Sequence, residues 1–257
     1  MSIAVSSRGA GRLIGGALMP LWLLLAGCAG PASVPIEPSD PLESLNRKTF
    51  AFNQFLDRVA FRPAAKAYVI IVPADARTAV HHMLDNMKEP TLFFNNLLQG
   101  EFKRAGVTVA RFAVNSTVGF AGMVDVMALS GVPRETADFG ETLYVWGIRS
   151  GPYIVLPILG PSNPRDATGE AVDSYADPAT ILANDRGLTE LTTARFVLGG
   201  VDERAGLLDE LDALEKNSVD FYAEMRSLWQ QHRSAELNHG KAPPVAPGLY
   251  NDPGAGR

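Results

Sequence analysis

The 257-residue chain holds one cysteine, Cys28, and four histidines, His81, His82, His232 and His239. A single cysteine excludes an internal disulfide. None of the histidines stands at metal-ligand spacing with a carboxylate or thiolate partner, so neither a metal nor any other cofactor is expected, and surface solvation accounts for each. There is no Gly-x-Ser-x-Gly elbow and no phosphate loop. No basic stripe is present: 23 Lys and Arg stand against 28 Asp and Glu, which argues against a nucleic-acid partner. After the first 27 residues no stretch is long and uncharged enough to span a bilayer, which takes about 20 apolar residues in one helix. Asp202-Glu203 and Asp209-Glu210 read as solvated helix faces. Asp173 and Asp177 read as turn or cap residues, and Asp125, alone in an apolar run, as a cap or the buried partner of an arginine. Nothing converges into a catalytic set, and the chain reads as a protein that is not an enzyme.

Charge is scarce at the start as well. Arg8 and Arg12 are the only charges before Glu37, and an apolar run, Leu13 to Leu25, leads into Leu25-Ala26-Gly27-Cys28. A basic start, a short apolar core and small residues before a cut describe a secretory signal, residues 1–27. A cysteine directly after them is the bacterial lipobox, so Cys28 is the expected lipidation site, carrying palmitate-type acyl chains. Three chains hold firmly, since each buried methylene contributes about 0.8 kcal/mol. Ala29, where an aspartate retains lipoproteins at the inner membrane, resembles the outer-membrane sorting pattern. Residues 28–39, with Pro31, Pro35 and Pro38, read as an extended tether. Losing Arg8 and Arg12 with the signal moves the formal charge from −5 to −7.

Residues 40–237 are long enough for one domain. Asp40-Pro41-Leu42-Glu43 predicts a capping box opening a first helix. That helix carries Leu45, Thr49, Phe52, Leu56 and Val59 on one stripe and is expected to stop before Arg62-Pro63. A second helix opens near Pro73 and Asp75 and is interrupted at Pro90. Thr91 to Leu98 is then apolar nearly all round apart from Asn95 and Asn96. Such a segment is deeply buried or faces lipid, and periodicity by itself favours a core. Phe102, Ala105, Val109 and Phe112 continue a helical period, although Val107-Thr108-Val109 also suits a strand. From Leu143 to Leu159 aromatic residues alternate with Gly147, Gly151, Pro152 and Pro157. Broken apolar segments beside a lipid anchor point to a body partly in one leaflet, with 91–98 and 144–159 supplying lipid-facing surface. In the last third, Gly199-Gly200 ends one helix, Asp202 caps the next, and Ser218 opens a third with Tyr222, Met225 and Trp229 inward. Residues 238–257 are Pro- and Gly-rich and expected to be disordered.

These residues carry a resemblance. Asp40-Pro41-Leu42-Glu43 with Asn46-Arg47, Phe52-Asn53, Arg62-Pro63, Glu89-Pro90, Asn96 and Leu98-Gln99-Gly100 appear in order. Arg111-Phe112 with Asn115, then Gly119, Gly122 and Asp125, follow. The densest block runs from Phe139-Gly140-Glu141-Thr142-Leu143 through Trp146-Gly147, Gly151-Pro152-Tyr153, Pro157 and Gly160 to Arg165-Asp166 and Gly169. The ordered set resembles the MlaA family, also called VacJ. The resemblance implies an all-α, ring-like domain embedded in the inner leaflet of the outer membrane. It implies a protein that takes misplaced phospholipid from the outer leaflet through an amphipathic passage, maintaining lipid asymmetry. The implied partners are phospholipid, a trimeric outer-membrane porin and a periplasmic phospholipid carrier. It also implies passage or gating roles for Asn46, Arg47, Phe52, Asn53, Asn96, Gln99, Arg111, Asn115, Asp125, Gly147, Gly151, Pro152, Tyr153, Arg165 and Asp166. The rival readings are a purely structural envelope lipoprotein and an anchored lipid hydrolase.

Overall fold

The computed structural model describes residues 40–239. The signal, Cys28, the tether and residues 240–257 of the tail lie outside the described residues. The helices are α1 (Glu43–Leu56), α2 (Arg62–Ile71), α3 (Ala74–Leu98), α4 (Phe102–Thr117), α5 (Val126–Leu129) and α6 (Phe139–Val145). After a hairpin of β1 (Ile154–Leu156) and β2 (Gly160–Ser162) come α7 (Pro164–Ala176), α8 (Pro178–Asp185), α9 (Thr189–Gly206), α10 (Leu208–Asn217) and α11 (Phe221–Leu237). The all-α expectation holds, with the small hairpin added inside the broken 143–159 segment. Among the described residues no helix is long and apolar enough to cross a membrane.

Several boundaries differ from the sequence reading, each for a tertiary reason. Asp40 does not cap α1 with its side chain; Leu42 is the N-cap residue and has no side-chain cap. The Asp40 carboxylate instead accepts Asn46 Nδ2 at 2.8 Å and the Tyr222 hydroxyl. Both donors belong to buried side chains, where an unmade hydrogen bond costs more than an unmade cap in water. The first helix also does not stop before Arg62-Pro63. A π turn, Asp57–Phe61, carries the chain directly into α2, and Pro63 falls in that helix's first turn, where its missing N–H is tolerated. Pro90 lies inside α3 rather than ending it. It denies one hydrogen bond to the Asn86 carbonyl, but α3 packs along α4, and such packing supplies most helical stability. Gly199 and Gly200 likewise sit within α9. Asp202 is buried in that helix, not a cap, and joins α9 to its neighbours by accepting Tyr68 Oη at 3.0 Å and meeting His81 Nδ1 at 2.9 Å. α11 opens at Asp220, whose carboxylate accepts Ala223 N, not at Ser218. Val107 to Val109 are helical. The cap roles expected of Asp125 and Asp177 are present at α5 and α8.

The distribution of polarity is inverted relative to a water-soluble domain. Among the described residues sixteen polar or charged side chains are buried, against nine apolar ones. A small aromatic core joins Tyr153, Val155 and Tyr222, with Phe50 and Trp229 packed on it. The 91–98 segment shows the inversion most clearly. Asn96 is 1 % exposed and Asn95 is also buried, while Phe94 is 53 % exposed beside exposed Leu97 and Leu98. The expectation that this piece packs its apolar residues into an ordinary core is therefore wrong. Among them Leu92 alone is buried, because the asparagines take the inner face to reach Thr108, Thr142 and Asp173.

Candidate functional site

Three buried polar nodes gather most of the polar motif residues. The first is a clamp between α1 and the free edge of β1. Asn46 donates Nδ2 to the Tyr153 carbonyl at 3.0 Å and accepts Val155 N on Oδ1 at 2.9 Å. Two turns later, Asn53 donates to the Leu156 carbonyl at 2.8 Å and accepts Ile158 N at 2.8 Å. Each side-chain amide supplies one donor and one acceptor, as a neighbouring strand's peptide would, so the helix closes an edge that would otherwise expose unpaired backbone. Arg47, beside Asn46, is half exposed and pairs with Asp220 Oδ2 at 2.6 Å while stacking 4.4 Å from the Tyr222 ring. That fastens α1 to the start of α11. Phe52 faces outward and takes no part in the clamp. Tyr153 is buried in the aromatic core, and burial pushes its hydroxyl above the ordinary tyrosine range. Pro152 is exposed, and Gly147 and Gly151 take the left-handed turns, at φ +85° and +75°, that bring the chain into the hairpin.

The second node lies between α3, α4 and α5. Arg111 donates to Asp125 Oδ2 at 2.6 Å and the Val132 carbonyl at 2.5 Å, and approaches Glu89 Oε1 at 3.5 Å. Asn115 donates to Asp125 Oδ1 at 2.9 Å, and Arg134 reaches Glu89 at 3.2 Å. Burial raises the Glu89 carboxyl despite both arginines. Burial alone would raise Asp125 too, but the Ala128 N–H, Arg111 and Asn115 hold it below the usual carboxylate range. Asp125 is thus both a cap and an arginine partner.

The third node joins α6, α7 and α11. Asp166 accepts Arg233 Nε at 2.9 Å and Arg165 Nε at 2.8 Å. Arg233 also forks onto Asp138 at 2.7 and 2.9 Å. Gln99 links the α3 end to this node through the Asp138 carbonyl at 3.3 Å and Thr142 Oγ1 at 3.1 Å. Asn96 donates to Thr108 Oγ1 at 3.2 Å. Asn96 Oδ1, Gln99 Oε1 and Asn86 Oδ1 are buried without a protein partner, so the interior has acceptor capacity beyond its own bonds. Arg233, Asp138 and Arg134 escaped the sequence reading, which met Glu89 only as part of a motif and Asp202 only as a cap or solvated charge. An arginine or acid in an amphipathic helix looks like solvated charge until its partner, distant in sequence, is known. Chemically the nodes hold helices together and provide a polar interior; they do not pair a nucleophile with a base.

The outer surface is the counterpart. Ile70 and Leu129 are 84 % and 82 % exposed, and Phe102, Phe112, Phe120, Tyr144 and Trp146 are exposed as well. The Trp146 indole donates to the Leu98 carbonyl at 3.1 Å, which fixes an exposed ring beside Leu98 instead of letting it fold inward.

Comparison with known proteins agrees with this construction. A family profile described as MlaA lipoprotein matches residues 38–236. The intermembrane phospholipid transport system lipoprotein MlaA of Escherichia coli is 32% identical over 225 residues, covering 86% of this chain and 87% of that protein. Its namesake in Haemophilus influenzae is also 32% identical, covering 85% and 88%. An uncharacterised protein of Rickettsia felis is 35% identical over 206 residues, 79% of this chain and 80% of that one. A solved chain from a study of the structural basis for maintenance of bacterial outer membrane lipid asymmetry superposes with a TM-score of 0.68 at 32% identity, covering 78% of this chain and all of that one. With polar motif residues building its nodes and the profile spanning nearly all of the described residues, the chain belongs to the MlaA lipoprotein family.

Proposed function

We propose that this protein is an outer-membrane lipoprotein, anchored through Cys28, that removes mislocalised phospholipid from the outer leaflet and passes it to a periplasmic carrier. Family membership supports the general role in intermembrane phospholipid transport, which the relatives' names carry. The single observation behind the finer reading is the inversion of polarity. A body resting in one leaflet needs apolar side chains outside and a polar route for the headgroup inside. Phe94, Leu97 and Leu98 point out of the same helix whose Asn95 and Asn96 point in. A ring-like domain in the inner leaflet, associated with a trimeric porin, accommodates both surfaces. Transport down such a passage changes no covalent bond, consistent with carboxylates that serve as helix ties.

Deletion of the gene tests the role directly: phospholipid should accumulate in the outer leaflet and detergent sensitivity should rise. Normal surface phospholipid in the deletion strain would favour a structural lipoprotein instead. Fatty-acid release by the purified protein would favour the hydrolase. A photo-crosslinking residue at Phe94 should label phospholipid or porin, whereas one at buried Asn96 should label neighbouring helices.

A further inference from the structure

The junction of α6, α7 and α11 contains one acid that its neighbours leave out. Glu141 is 3 % exposed, and no ion pair reaches its carboxyl group among the described residues; Oε2 is buried without a partner. The nearby cations are already engaged. Arg233 spends its nitrogens on Asp138, Asp166 and, at 3.0 Å, Glu236. Arg104, on α4, is held by Glu135 at 2.5 Å, the Thr136 carbonyl at 2.8 Å and the His239 ring. The other charges acting on Glu141 are Asp138, at the start of its own helix, and Glu236 on α11, and Arg165, Asp166 and Asp173 of α7 belong to the same junction. Of these Arg165 is paired to Asp166, and Asp173 accepts Asn95 Nδ2 and Phe139 N, both at 2.8 Å. A charged Glu141 therefore adds an uncompensated negative charge to a buried, already acidic junction, which costs far more than a charge in water.

We propose that Glu141 is a proton-operated latch for the C-terminal helix: uncharged, it lets α11 close over α6 and α7; ionised, it loosens that closure. The consequence reaches the clamp, because α11 supplies Tyr222 and Trp229 to the core that holds Tyr153 and Val155 of the hairpin. Burial first, then Asp138 and Glu236, pushes Glu141 up to about 7 against the pull of Arg233 and Arg104. A carboxyl raised in the closed state stabilises closure fully below its ordinary value of about 4.3 and loses that contribution as pH rises through about 7. Between those limits the closed-to-open ratio falls about tenfold per pH unit and then levels off.

Hydrogen exchange across residues 221–237 of the lipidated protein in phospholipid nanodiscs, corrected for intrinsic exchange, reads this ratio. From pH 5 to pH 8 protection of α11 should fall on the order of fiftyfold, and Glu141→Gln should remove most of that fall. A wild-type protein with pH-independent α11 protection, or a Glu141→Gln variant that keeps the full fall, would overturn the latch. Should Glu141→Gln fail to fold, Glu236→Gln removes a neighbouring negative charge and should move the midpoint to lower pH; an unmoved midpoint overturns the proposal equally.

Discussion

At the scale of the residue, the amide side chain is the working part of this protein. Asn46 satisfies two buried backbone groups of the hairpin and one buried carboxylate at once. Asn46→Ala leaves the Tyr153 carbonyl and the Val155 N–H unpaired, a loss of about 2–6 kcal/mol at about 1–3 kcal/mol per buried group. Asn53→Ala strips partners from more exposed groups and should cost only about 1 kcal/mol. Urea titration of the two variants should preserve that order; equal costs would mean that the hairpin edge is satisfied by something else. Asp125 gives a pH prediction. Asp125, Asp166 and Asp177 would each be raised by burial, but hydrogen bonds and arginines hold all three below the ordinary value. Depressed carboxyls stabilise the fold above about pH 4 and lose that contribution as pH falls through their folded values. Asp125→Asn should cost about 3 kcal/mol at pH 7 by leaving Arg111 short of a charge partner, and should make acid unfolding between pH 5 and pH 2 shallower, as followed by circular dichroism.

At the scale of the element, glycines at superficially similar helical positions have opposite roles. A Cβ on Gly169 would lie 2.3 Å from the Gly140 backbone nitrogen, so α6 and α7 touch through their glycines. Gly169→Ala must push those helices apart and should destabilise the fold by about 1–3 kcal/mol, the usual cost of overpacking. Gly199 and Gly200 meet nothing within 4 Å in the middle of α9. Alanine at each should stabilise by about 0.5–1 kcal/mol through helix propensity alone. Thermal melts that moved the same way for both sites would refute this account of α6–α7 contact. The long helices make the same point: α3 passes through Pro90, and α1 reaches α2 through a π turn, because partners along their length outweigh a local breaker.

At the scale of the whole molecule, the proposed function requires the outward apolar surface and an anchor at Cys28 to act together. Phe120→Asp and Ile70→Asp replace side chains that are 76 % and 84 % exposed, so neither should disturb folding in detergent. If those surfaces lie against lipid, each charge should weaken retention in the bilayer fraction by several-fold, more when combined with Cys28→Ala, which removes the proposed site of acylation. Flotation of membrane vesicles measures this. Mass spectrometry of the mature amino terminus should show an acylated Cys28, and an unmodified thiol there would defeat the anchor assignment.

The sequence by itself determined the helical character and family membership and offered cap roles for Asp125 and Asp177 among its alternatives, because these depend on local chemistry and on ordered motifs. The ordered Asn46-Arg47, Phe52-Asn53 and Asn96 were visible as motifs, yet nothing local revealed that the asparagines would clamp a strand or turn inward. Periodicity assigns apolar residues to the inside; here Phe94 and Asn96, two positions apart on α3, exchange those places. The tertiary structure decided this because an amide pays its burial only when distant partners complete its hydrogen bonds, and Asn46 finds them more than a hundred residues away in Tyr153 and Val155. The same holds for Arg233, an ordinary helix-surface arginine in the sequence, which becomes the tie of three helices once Asp138 and Asp166 stand on either side of it.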